Sequence, residues 1–149
     1  MIQRVQSIYL LLAAIFFCTA FFLPFLTIDM SGSGVHQPAL SDGRFDYADN
    51  IGILGLTVLG SVLSIAAIFM FSNRLLQSKL SALITLVAAL MFVLAAIAGQ
   101  ALRTHISEGD SVQFGLAWMA PLGAILFSRL AAQAIRKDEQ LVKSMDRLR

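Results

Sequence analysis

The chain has 149 residues, 58% of them hydrophobic and only 13% charged, with a net charge of +2. Soluble domains carry roughly 25% charged residues, so this composition excludes an ordinary water-bathed domain. A single cysteine excludes an internal disulfide framework.

Four apolar runs, Val5–Phe25, Ile51–Phe71, Leu80–Ala98 and Phe114–Ile135, each have the roughly 20 residues that a helix needs to cross a hydrocarbon core about 30 Å thick. The first is rich in Leu and Phe and ends at Phe21-Phe22-Leu23-Pro24-Phe25, where Pro24 is tolerated as a helix terminator. Its basic flank, Met1–Arg4, is that of a secretory signal. The apolar stretch, however, exceeds the usual length of about 7–15 residues and lacks a small-x-small cleavage site. Ile15-Phe16-Phe17 is too bulky for lipoprotein processing at Cys18, which is expected to be a packing residue.

In the first connector, Leu26-Thr27-Ile28-Asp29-Met30 alternates as a strand does. Asp42-Gly43, between Ala39-Leu40 and Phe45-Asp46-Tyr47, predicts a hairpin whose turn needs positive φ. This connector is the only region read as having strand character; an irregular acidic loop is the alternative.

The second span carries Gly60 and Ser64 at small-xxx-small spacing. Ala95 with Gly99, and Ala120 with Ala124, repeat that spacing in the third and fourth. Such pairs let helix backbones approach closely in lipid, and packing within the chain is expected over a dimer face. The short connector Ser72–Lys79 makes spans two and three an antiparallel hairpin. Pro121 is expected to kink span four, and Trp118 to sit near the outer headgroups. The tail continues the helical period, with Leu141, Met145 and Leu148 on one face and charges on the rest. Such a helix lies along anionic headgroups or docks a protein.

Positive charge lies on alternate connectors. The N-terminus, second connector and tail hold nine Lys or Arg against three acids. The first and third connectors hold Arg44 and Arg103 against six acids. Lys and Arg near span ends stay in the cytoplasm, so four crossings with both termini cytoplasmic are expected.

Chemistry that requires ionisable groups within the bilayer is not supported, because none lies in the middle of a span. Arg129 comes nearest; it either snorkels to the inner interface or faces the bundle beside Ser128 and Gln133. Thr57, Ser61, Ser64 and Thr85 can each bond their own helix backbone. His36 and His105 lack neighbours at ligand spacing, and Asp42, Asp46 and Asp49 lack calcium-loop spacing. No catalytic residue, metal or cofactor is expected, and no nucleic-acid partner.

Met1-Ile2-Gln3-Arg4-Val5-Gln6-Ser7-Ile8-Tyr9-Leu10-Leu11-Leu12, Asn73-Arg74-Leu75-Leu76-Gln77 and the stretch from Ala134 to Arg149 together resemble domain-of-unknown-function family 4293, small four-span inner-membrane proteins of the Bacteroidota. The resemblance covers the whole chain and implies a bacterial inner membrane with no established activity. Met145 stands where a small residue is expected. The three stretches share the cytoplasmic face. There Arg4, Arg74, Arg136, Lys137, Asp138, Glu139, Lys143, Asp146, Arg147 and Arg149 form a candidate patch for a partner or lipid headgroups.

The expected fold is therefore an all-α membrane protein: a four-transmembrane-helix bundle with a small β-hairpin in the first outer loop and an amphipathic C-terminal helix. The expected role is that of a non-enzymatic accessory or scaffold subunit of a membrane complex. Its partners would be membrane lipids and another inner-membrane or cytoplasmic protein. The alternative is a carrier or enzyme for an uncharged lipidic substrate, for which a cavity lined by Thr57, Ser61, Ser64 and Thr85 would speak.

Overall fold

The computed structural model describes residues 3–29, 42–104 and 111–146. Four helices carry the chain: α1 (Gln3–Thr19), α2 (Ile51–Phe69), α3 (Arg74–Arg103) and α4 (Met119–Asp146). Each packs against the next, and α4 closes the bundle on α1. Ile51–Phe69, Arg74–Arg103 and Leu116–Val142 are long and apolar enough to cross a membrane, whereas Val5–Thr19 is a shorter apolar helix.

The side-chain distribution is the reverse of a soluble bundle. On α3, Leu83, Leu86, Leu90, Val93 and Ile97 are exposed at alternating steps of three and four residues, while Ser81, Ala88, Ala95 and Gly99 face inward. On α2, Val58, Val62 and Ile65 point out, and Thr57, Gly60, Ser61 and Ser64 point in. A water-bathed protein does not expose such continuous apolar stripes. In lipid, large side chains lose nothing outside and small ones let backbones close up inside. The chain is built as a membrane protein.

The small-residue pairs pack within the chain. Gly60 lies under the Phe17 ring and Gly123 under the Phe16 ring, so closely that a Cβ at either position would collide with it. Ala95, Ala120 and Ala124 are fully buried. Phe16 also stacks on Phe127 at 5.4 Å between centroids, fixing α1 against α4.

Three expected boundaries move. Helix α1 stops at Thr19 rather than Phe25. The amides of Ala20, Phe21 and Phe22 bond back three residues, the tightened geometry of a helix end. Pro24 disfavours helix at the residue before it, and Phe25 and Leu26 are buried beyond the helix instead. Helix α3 starts at Arg74, six residues before the expected Leu80, because the Asn73 side chain caps it by accepting from the Leu76 amide at 3.1 Å. The connector is thus a tight turn rather than Ser72–Lys79. Finally, a 3₁₀ turn (Leu116–Trp118) precedes α4. Pro121 therefore falls in the first turn of α4, where its missing N–H has no intrahelical acceptor to lose, and the expected kink in span four has no cause.

The connectors form one three-stranded antiparallel sheet from β1 (Leu26–Asp29), β2 (Arg44–Phe45) and β3 (Ser111–Phe114), in the order β2-β1-β3. The strand expected at Leu26 is present, and Gly43 takes the positive φ, 71°, that its turn needs. Strand β2 pairs with β1, Leu26 opposite Phe45; Ala39 and Leu40, the expected flank of the turn, lie outside the described residues, as do His36 and His105. Strand β3 corrects the reading that only the first connector has strand character and that span four begins at Phe114. It pairs along all of β1, from Leu26 with Phe114 to Asp29 with Ser111.

This sheet sits on the C-terminal end of α3, where Leu26 rests on Gly99. Trp118 locks it down. Its indole Nε1 donates to the Phe25 carbonyl at 2.8 Å, and its ring meets Phe25, Phe92 and Phe114 edge-on. Gly115 also donates to that carbonyl at 2.9 Å and lies so close to the Pro24 backbone that a side chain has no room. Arg103 covers Phe114, 4.6 Å from the ring centre.

Candidate functional site

The opposite end of the bundle holds Arg74, Arg136, Lys137, Asp138 and Glu139 of the charged residues singled out in the sequence. The hairpin between α2 and α3 is closed there by polar side chains. Gln77, almost fully buried, donates through Nε2 to the Ala67 carbonyl at 3.1 Å, satisfying an acceptor that the end of α2 leaves without an intrahelical partner. One turn away, Arg74 reaches α4 and pairs with Asp138 at 3.0 Å, the side chains retaining 32% and 12% of their exposure. The Asn73–Gln77 stretch is thereby accounted for: a cap, an ion pair and a buried amide bond.

The pair changes the reading of the acidic insertion in the basic tail. Asp138 is a buried partner of Arg74 and ties α3 to α4, rather than an open contact for another molecule. Arg136 and Lys137 are exposed, and Glu139 is half-buried. Arg147 and Arg149 lie outside the described residues, as do the side chains of Arg4, Lys143 and Asp146. The tail is the uninterrupted continuation of α4 as far as Asp146. Leu141 and Val142 are 51% and 37% exposed on it, an apolar face with no cover among the described residues.

The mid-span hydroxyls are occupied. Thr57, Ser61 and Ser64 each donate to the carbonyl four residues back, at 2.7, 2.8 and 2.7 Å. Thr85 bonds Ser81 in the same way and lies 2.8 Å from the Ser128 hydroxyl on α4, a polar rivet between two spans. The Cys18 thiol is half-buried, 3.9 Å from the Ser61 hydroxyl.

Arg129 does not take the bundle-facing position, one of the two expected for it. It is exposed, and the bundle interior beside it is taken by Ser128. Arg129, Ala132, Gln133 and Arg136 form one stripe of α4 at steps of three, four and seven residues. Facing them on α3 are Ala82, Thr85, Leu86 and Ala89, at the same steps, and the two stripes bound a groove of about 420 Å³. In the sequence Arg129 groups with Ser128 and Gln133, not with Arg136 or with α3. The paired stripes, with alanines on both, are the signal that would have found the groove.

Among the described residues no cluster of His, Cys, Asp or Glu could hold a metal. Asp42 and Asp46 accept from backbone amides within their own loop, of Arg44 and Ala48, and Asp49 accepts from Asp46. Partial burial, reinforced by the neighbouring carboxylates of Asp46 and Asp42, raises the Asp49 carboxyl above its ordinary value; the bond from the Asp46 amide opposes the shift.

The family described as "Domain of unknown function (DUF4293)" matches residues 2–148. The chain belongs to this family. No curated protein and no solved structure matches it. The match covers both ends of the bundle, so the sheet and the charged end belong to the one DUF4293 unit.

Proposed function

We propose that this DUF4293 protein is a non-enzymatic accessory or scaffold subunit of a membrane complex, set in a bacterial inner membrane with both termini in the cytoplasm. The observation that carries this reading is the end of α4. Beyond Asp138, which is anchored to Arg74, the helix continues for two turns with Leu141 and Val142 uncovered and with Arg136 and Lys137 exposed at its base. An apolar stripe flanked by charge is what a helix offers to a groove on another protein. The anchoring pair makes it a rigid extension of a span, which suits a partner fixed at the same membrane. The occupied hydroxyls at Thr57, Ser61 and Ser64 weigh against a carrier that would need them for substrate.

Purification of the tagged protein in mild detergent, with crosslinking, tests the reading. A defined co-purifying chain is expected, and it should be lost from a variant carrying Arg136→Glu and Lys137→Glu. Recovery of the bare protein after crosslinking would contradict the proposal, and so would retention of the partner by the variant.

A further inference from the structure

We infer that the groove between α3 and α4 is a binding site for one anionic phospholipid, its phosphate held by Arg129 and Arg136 and an acyl chain lying over the alanines. This inference stands apart from the subunit reading and holds whether or not a protein docks on the end of α4.

The position of Arg129 is the first argument. It lies on the apolar part of α4, seven residues before the charged rim that begins at Arg136. It is exposed and has no ion-pair partner among the described residues. A cation on a lipid-facing stripe near the rim reaches toward the headgroups, where an anion can meet it. Arg136, also exposed, follows seven residues later on the same stripe, about 10.5 Å along the axis at 1.5 Å per residue. Both side chains are long enough to converge on one group between them, and Gln133 places an amide there too. Guanidinium forks match phosphate oxygens in pairs, with charge-assisted bonds.

The second argument is shape. Small side chains, Ala82 and Ala89 opposite Ala132, keep the groove open at about 420 Å³, within the roughly 300–1,000 Å³ of small-ligand sites. Leu86, one of its lining residues, belongs to the exposed apolar stripe of α3, so the groove opens sideways onto the lipid-facing surface. A water-soluble anion would have to enter apolar surroundings to reach Arg129. A phospholipid arrives from within them, bringing a phosphate for the arginines and a chain for the alanine floor.

The experiment is native mass spectrometry of the whole protein in nonionic detergent, titrated with phosphatidylglycerol or phosphatidylcholine, with inorganic phosphate as competitor. Wild type is expected to hold one phosphatidylglycerol in preference to phosphatidylcholine, undisturbed by phosphate. Arg129→Gln should weaken that binding about tenfold, the size of one lost charge-assisted hydrogen bond. Ala89→Leu, which leaves every charge in place but fills the floor, should weaken it as well. Should the arginine variant not fold, the alanine variant decides alone. Equal retention of both lipids, competition by inorganic phosphate, or unchanged binding in Ala89→Leu would each overturn the assignment.

Discussion

At the sheet end of the bundle, the Phe25 backbone alone ties three distant segments together: it donates to Phe45 at 2.7 Å and accepts from Gly115 and the Trp118 indole. At the charged end, the corresponding joints are made by side chains, Gln77 onto Ala67 and Arg74 onto Asp138. Backbone bonds under buried aromatic rings leave few alternative arrangements, whereas side-chain joints at a half-exposed rim leave charged surface for use. One end of this small protein is closed for structure. The other is joined by side-chain contacts and leaves Arg136, Lys137, Leu141 and Val142 uncovered among the described residues.

Four substitutions sharpen that contrast, each read as thermal unfolding in detergent. Gly115→Val forces a side chain into the Pro24 backbone, which cannot yield as a flexible side chain would, and should cost about 3 kcal/mol, the upper part of the overpacking range. A melting temperature near wild type would mean that the sheet end is not closed as described. Asp138→Asn should cost about 2 kcal/mol, because it leaves Arg74 unpaired at a partly buried joint. That is less than a fully buried pair would lose, since about a third of the Arg74 side chain remains exposed. Trp118→Phe keeps most of the ring contacts but removes one of the two donors to the Phe25 carbonyl, for a loss of about 1 kcal/mol.

The smallest effect is at Asp49. Its carboxyl is raised in the folded protein, so the charged form costs stability above the folded pKa, and that cost disappears as pH falls toward the ordinary 3.8. Asp49→Asn should therefore melt slightly above wild type at neutral pH. The gap should close once wild type is protonated, near and below 3.8. A gap that widens with acid would reverse the sign of this argument.

The helical part was legible in the sequence because lipid imposes a length and a hydropathy that few other contexts demand. The small residues at Gly60, Ser64, Ala95, Gly99, Ala120 and Ala124 were read correctly as packing faces within the chain. What failed was non-local. Strand β3 has only four residues, Ser111–Phe114, and its partner β1 is some 85 positions earlier, so no local pattern announces the pairing. The end of α1 was misplaced because Phe25 and Leu26 are as apolar as a span yet serve the sheet. Arg74 and Asp138 were placed in one candidate patch, but their pairing and the role of Gln77 could not be read. Whether a charged residue faces a partner or a neighbouring helix depends on the register between α3 and α4, which neither stretch encodes alone.

The threading of the chain through the membrane underlies the whole account, and cysteine labelling in intact cells tests it directly. In a Cys18→Ser background, Ala48→Cys places a thiol in the exposed loop beside the sheet and Gln140→Cys places one on the exposed end of α4. A membrane-impermeant maleimide should label the first in whole cells and the second only after the cells are opened. Labelling of the Gln140→Cys variant in intact cells, or protection of the Ala48→Cys variant, would contradict the account.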